Sequence, residues 1–312
     1  MQSVIKAKKN QLKLFGVLKI VAFVFILAFL FYRFYYSDSL KWNSPDLSSL
    51  WSLYIAVMLV PLNWFLEFTK WNLTTQLVKE DISNRDKNNS FLAGMITGIL
   101  SPNMIGNFIG RIYYFERKDR ILITLLTLVS NQAQFIITLL MGILSLVFIP
   151  LKSSGFTMDL YKWVVVGFVV TICFVGYFYF ERVLQVFTRT KKIGLRLELI
   201  FSEPTFFRLK ILVLSFLRYL VFLIQFILML VTFGVDFDLL LPFKIAQVYL
   251  ISSLLPTLML GKFGVRESVG IIILGSIGIA ELTVLISSLS IWLLNLVLPT
   301  LMALLLLKRR LD

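Results

Sequence analysis

Six apolar runs, at residues 14 to 36, 48 to 69, 121 to 149, 161 to 180, 209 to 233 and 282 to 307, constrain this 312-residue chain more than any other feature. An α-helix rises 1.5 Å per residue, so a run of about 20 residues covers the roughly 30 Å of bilayer hydrocarbon. Each run is long enough, or nearly so, to do this. With 58% hydrophobic residues, against about 45–50% in an ordinary soluble domain, no large water-facing surface can be assembled from what remains. The longest polar stretches, about 70 to 90 and 182 to 208, are too short to enclose a core of their own. The expectation is therefore a single integral membrane domain over residues 1 to 312. Its first run, which ends in Phe-Tyr-Arg-Phe-Tyr-Tyr without a small-residue cleavage site, is expected to be retained as a span.

Residue types exclude several chemistries. The chain has no His and one Cys, Cys173, so His or Cys metal sites, Ser-His-Asp and Cys-His nucleophile systems and an internal disulfide are all ruled out. No metal, cofactor or catalytic residue is expected. Lys and Arg exceed Asp and Glu by 31 to 17, a formal net charge of +14. In a membrane protein this excess marks cytoplasmic loops and anionic lipid rather than nucleic acid.

Charge placement sets the expected topology. Twenty-three of the 31 basic residues fall in the N-terminus, residues 70 to 87, 111 to 120 and 182 to 210, and the C-terminus. Placing these on the cytoplasmic side puts both termini there. Two further apolar stretches, 91 to 110 and 240 to 280, are interrupted by SPNMIGNFIG and LPTLMLGKFG. The first has basic sequence at both ends and so reads as a re-entrant hairpin from the cytoplasmic side. The second must return the chain from outside and reads as a hairpin from the opposite side. Re-entrant backbone is tolerated only where protein buries it or it lines a polar cavity.

The two interrupted stretches align. Pro102 and Pro256 are 154 residues apart, and each is flanked by spans in the order span, broken segment, span. The expected fold is thus all-α and polytopic, with about six full transmembrane helices plus two re-entrant hairpins in an inverted pseudo-repeat. Repeat one covers about 48 to 149 and repeat two about 209 to 307, with peripheral spans at 14 to 36 and 161 to 180. Inverted repeats with broken helices place a transporter's site where the breaks meet. The breaks are Pro102 and Gly106 in the first half and Pro256, Gly261 and Gly264 in the second.

Charged residues inside apolar sequence are the candidate site. Glu67, Arg218, Lys262, Arg266 and Glu267 would each cost about 2.5–3.5 kcal/mol at mid-bilayer on insertion scales. They must pair or face water. Lys262 and Arg266 form a net positive hairpin with Glu267, expected to contact a lipid phosphate while Glu267 orients Arg266 or binds an amine or proton; a purely structural Arg-Glu pair is the competing reading. Asn107 and Arg111 can reach the same cavity from the first hairpin. Asn63 and Glu67 are one helical turn apart on the second run and share a face, as do Arg218 and Gln225 on the fifth. Glu67 and Arg218 are placed to pair.

Pro256 through Glu267, with its Pro, glycines and adjacent Arg-Glu, resembles the C-terminal signature of the lysylphosphatidylglycerol synthase transmembrane-region family of bacterial inner-membrane proteins, and Pro102-x-x-x-Gly106 resembles its N-terminal counterpart. The resemblance spans about residues 15 to 308. It departs at Gly106-Asn107, where that family usually has Gly-Glu. The resemblance implies a flippase-like lipid translocase without the separate soluble aminoacyl-transferring domain. The expected cargo is an anionic or aminoacylated phospholipid, or a polyprenyl-phosphate-linked lipid. The alternatives are a membrane-embedded enzyme, or a scaffold subunit of a lipid-modifying or glycan pathway. A lipid-modifying enzyme partner and a homo-oligomer remain open.

Overall fold

The structure, a computed structural model, describes residues 50–78, 82–99, 101, 105–117, 119–149, 160–180, 204–255 and 264–308. The expected first span at 14 to 36, residues 182 to 203 of the basic region 182 to 210, and Pro102, Pro256, Gly261 and Lys262 lie outside the described residues.

The described chain is helical throughout. In order, the elements are α1 (Leu50–Gln76), α2 (Asn84–Ile99), α3 (Gly106–Ile112), α4 (Arg120–Phe148), α5 (Leu160–Phe178), α6 (Pro204–Thr232), α7 (Leu240–Leu254), α8 (Val265–Gly275), α9 (Glu281–Trp292), a π-helical turn (Leu293–Val297) and α10 (Leu298–Lys308). Four helices are long and apolar enough to cross a membrane: α1, α4, α6 from Thr205, and the continuous rod Glu281–Leu307. Within α5 and α7, Trp163–Phe178 and Leu240–Leu254 are shorter apolar helices. Large apolar side chains cover the outside of these helices, with Trp51, Tyr54, Met58 and Phe65 of α1 all exposed. An apolar exterior of this extent is what a lipid-facing helix presents.

Helix α1 runs on past the apolar stretch that ends at residue 69, because Lys70, Trp71, Thr74 and Thr75 turn inward and are buried. Thr74 Oγ1 donates to the Lys70 carbonyl at 2.8 Å, so its hydroxyl is satisfied within the helix. Lys70, Arg111 and Arg208, assigned by sequence to basic loops, are interior residues, 1%, 3% and 0% exposed. The loop count failed at these because a cation held by an internal partner does not need water.

Helices α1 and α6 pack antiparallel along their whole length. Ser52 meets Thr232 at 2.7 Å, Gln225 Nε2 donates to the Ala56 carbonyl at 3.0 Å, Arg218 reaches Asn63, and Lys70 Nζ donates to Ser215 Oγ at 3.4 Å. Numbers rise on one helix as they fall on the other. Pro61, inside α1, has no N–H to give the Val57 carbonyl one turn back.

Helices α2 and α3 form a tight antiparallel hairpin. A Cβ on Gly106 would sit 2.0 Å from the Thr97 carbonyl oxygen, and one on Gly110 would sit 2.4 Å from that of Ala93. Gly106 and Gly110 are thus the small-residue face that lets two backbones touch. Thr97 Oγ1 donates to the Gly106 carbonyl at 2.6 Å and Ser101 Oγ accepts from the Gly106 N–H at 2.6 Å, which closes the turn. In the second half, α7 packs on α4, with Leu250 filling the space over Gly142. Reciprocally, α2 packs on α10. The main buried cluster joins α6, α7, α8 and α9 around Phe226, Ile245, Leu274, Val284 and Ile291.

Candidate functional site

Glu67 is where the interior charges converge. Its Oε2 accepts from Arg218 Nη1 at 2.7 Å and lies 3.1 Å from Lys70 Nζ, while its Oε1 accepts from Arg111 Nη2 at 3.2 Å. One carboxylate therefore serves three cations from α1, α3 and α6. The local excess is two positive charges.

Each partner is positioned by a local device. Lys70 follows Glu67 by three residues and shares its helix face. Arg111 is held flat, with its guanidinium 4.6 Å from the Trp71 ring centroid and 5.6 Å from that of Phe91, both cation–π distances. Trp71 is itself fixed, its indole N–H donating to the Lys87 carbonyl at 3.1 Å. Gly94 of α2 makes room for this arrangement: a Cβ there would lie 2.6 Å from both Arg111 Cγ and Asn107 Oδ1. Arg218 sits near the centre of α6, about 20 Å from either helix end at 1.5 Å per residue. Its Nε donates to Asn63 Oδ1 at 2.8 Å.

A relay of amides extends from the ion cluster. Asn63 Nδ2 donates to Asn295 Oδ1 at 2.6 Å, Asn295 Nδ2 donates to Gln225 Oε1 at 3.0 Å, and Gln225 Nε2 ends at the Ala56 carbonyl. Asn295 lies in the π-helical turn. Pro299, four residues on, has no N–H for the Asn295 carbonyl, and the Leu298 N–H instead reaches back five residues to Leu293. The proline thus accounts for the wide turn that carries Asn295.

A cavity of about 60 Å³ opens against this cluster. Glu67, Asn107, Arg111, Arg218 and Asn295 line its polar side, and Trp64, Phe91, Met95 and Leu296 its apolar side. Arg218 is its most open charged group, with a side chain 23% exposed against 3% for Arg111. Among the described residues, two atoms at the site have no hydrogen-bond partner, Arg111 Nε and Asn107 Oδ1.

The outer-hairpin candidates are arranged differently. Gly264, at φ +81°, caps α8, and its N–H donates to Glu267 Oε2 at 2.7 Å. Ser288 Oγ of α9 donates to Glu267 Oε1 at 2.7 Å, and Arg266 binds both Ser288 Oγ, at 2.8 Å through Nε, and the Ser288 carbonyl, at 2.7 Å through Nη2. The Arg266–Glu267 contact itself is 3.4 Å. Both Glu267 oxygens and the main donors of Arg266 are occupied, pinning α8 to α9, and neither residue lines the cavity. Of the sequence-chosen residues, the structure brings together Asn63, Glu67, Asn107, Arg111 and Arg218. It places Arg266 and Glu267 in this separate pin.

Lys70 and Gly94 belong to the site and were not selected from sequence, whereas Asn295 is legible there as a polar residue on the last apolar run. Lys70 had a signal, its i,i+3 spacing from Glu67. Asn295 had one as a lone amide four residues before Pro299 in an apolar run. Among the described residues no group of three or more His, Cys, Asp or Glu is placed to hold a metal ion.

Compared with known proteins, the chain matches no family model, no curated protein and no solved structure.

Proposed function

We propose that the chain is a lipid translocase of a bacterial inner membrane, moving an anionic or aminoacylated phospholipid, or a polyprenyl-phosphate-linked lipid, between leaflets. The observation that carries the reading is the cluster of Lys70, Arg111 and Arg218 around one carboxylate, beside a cavity at the centre of two long apolar helices. Charges so placed are costly, and in membrane proteins such groups mark substrate paths. Cationic side chains bind the phosphate of a head group, while the exposed apolar faces leave its tails in lipid.

The antiparallel pairing of α1 with α6 supports an inverted repeat, because corresponding helices of two inverted halves run in opposite directions. The reciprocal packing of α2 on α10 and α7 on α4 has the same symmetry. On this reading six spans and two re-entrant hairpins form the whole, both termini are cytoplasmic, and the polar cluster lies between the halves. Membership in the lysylphosphatidylglycerol synthase transmembrane-region family is part of the proposal and rests on the Pro256 to Glu267 motif. With no nucleotide-binding motif in the sequence, the driving force is a gradient, a partner or the lipid's own concentration difference.

The test is leaflet exchange of fluorescent anionic and zwitterionic lipids in proteoliposomes, with the lipids recovered and weighed by mass spectrometry. A translocase changes the leaflet and leaves the mass unchanged. A membrane-embedded enzyme changes the mass, and a scaffold does neither.

A further inference from the structure

The charge count at Glu67 specifies more than an anion. Three cations lie within 3.2 Å of one carboxylate, so among the described residues the site carries two positive charges with no protein counter-charge in contact. Arg111 is almost wholly buried and lines the cavity, yet its Nε has no partner among the described residues. Both Glu67 oxygens are engaged, so the carboxylate is fully committed to holding its three cations in place.

We propose that this site binds the dianionic phosphate of a phosphomonoester, carried on a lipid, in preference to the monoanionic phosphodiester of common phospholipids. The inference rests on the lipid-binding reading above and specifies the head group. A dianion closes the charge balance, whereas a diester leaves one cation uncompensated; Coulomb attraction at fixed distance scales with that charge. The cavity of about 60 Å³ has space for the five heavy atoms of a terminal phosphate. The arginine forks of Arg111 and Arg218 match adjacent phosphate oxygens, and the apolar wall of Trp64, Met95 and Leu296 suits the first carbons of the attached chain.

Protonation provides the test. A phosphomonoester loses its second proton near neutrality, with a pKa of about 6, whereas a diester is a monoanion throughout. The charged groups facing the cavity are Glu67 from α1, Arg111 from α3 and Arg218 from α6, with Lys70 of α1 behind Glu67; α2 and the π turn with α10 contribute only uncharged residues. A diester control therefore reports any titration of the protein itself.

The full chain in uncharged detergent is titrated calorimetrically with dihexanoyl phosphatidic acid, dihexanoyl phosphatidylglycerol and inorganic phosphate, at about pH 8.5 and about pH 5. The expected result is at least about tenfold tighter binding of phosphatidic acid than of phosphatidylglycerol at the higher pH. At the lower pH that ratio collapses to within about threefold. Glu67→Gln keeps the preference and tightens binding, Arg218→Lys keeps a reduced preference, and Arg111→Gln loses it. Equal affinities for the two lipids at both pH values overturn the inference using the wild-type chain alone. If phosphatidylglycerol binds and crosses leaflets as well as phosphatidic acid, the monoester preference fails while the translocase reading stands. If inorganic phosphate binds as tightly as phosphatidic acid, the dianion preference holds and the lipid assignment fails.

Discussion

Arg218 and Asn63 face each other across antiparallel helices at 2.8 Å, and through that contact the ion cluster at Glu67 is joined to the amide relay of Asn63, Asn295 and Gln225. The two residues lie near the middle of α1 and α6. A polar thread at this depth ties α1, α6 and the π turn to one another, so a change at any one member is felt by the others.

Glu67→Ala leaves three buried or half-buried cations without their shared anion. The expected loss of stability is about 3–5 kcal/mol, the usual consequence of removing one partner of a buried ion pair. Thermal unfolding in detergent checks it. A change under about 1 kcal/mol would mean that water already solvates the cations.

Glycine substitutions separate close packing from mere flexibility. Gly106→Ala drives a Cβ to 2.0 Å from the Thr97 carbonyl oxygen, and Gly94→Ala drives one into Arg111 and Asn107. Both lower the melting temperature, Gly106→Ala more because its obstacle is backbone. Gly275→Ala meets nothing within 4 Å and, on a helix, leaves stability unchanged or raised by up to about 1 kcal/mol.

In the outer pin, Ser288→Ala strips Glu267 of one donor and Arg266 of its hydroxyl acceptor. The loss is about 1–3 kcal/mol of stability. If the pin is structural, lipid exchange per folded molecule is unaffected. Reduced exchange at matched stability would return Arg266 and Glu267 to the transport path.

Pro299→Ala restores the missing N–H and favours regular α-helix over the π turn. Removing one extra residue per turn rotates Asn295 by about 100° relative to the helix below it. The variant is expected to be as stable as wild type or more so, yet to lose the Asn295 contacts and exchange lipid more slowly. Stability and exchange are measured on the same sample.

How much of this was legible in the sequence differs by feature. Among the described residues, the long apolar runs mark where their helices lie, because burial in lipid leaves little choice of residue type, though α1 continues to Gln76 beyond its run. The turn at 91 to 110 was legible through its interruption and the basic sequence at both ends, and Gly106 and Gly110 are where the two helix backbones meet. The composition of the charged site was half legible. Glu67, Arg218, Asn63, Asn107 and Arg111 stood out as polar residues in or beside apolar sequence, but which of them meet depends on how α3 folds onto α2. Lys70 was hidden because a lysine just past an apolar run looks like a loop charge. The Arg266–Glu267 motif drew attention through charge density alone, and its partner Ser288, twenty-one residues after Glu267, carries no signal in sequence.

Side-specific labelling checks the topology. In a Cys173→Ala background, cysteines at Tyr113, 76% exposed beyond α3, and Phe237, 59% exposed before α7, are expected to react from opposite faces of the membrane. Reaction from the same face contradicts the assignment of the two hairpins to opposite sides.

The most direct measurement is the rate of lipid exchange in proteoliposomes for wild type, Arg111→Gln, Arg218→Gln and Ser288→Ala, normalised to folded protein. Arg111→Gln and Arg218→Gln are each expected to lower exchange at least about tenfold, the effect of losing one charge-assisted phosphate contact of about 1.5–3 kcal/mol, while Ser288→Ala matches wild type. Wild-type activity that survives both arginine substitutions and is lost with Ser288→Ala would place the lipid path at the outer hairpin and contradict the Glu67 site.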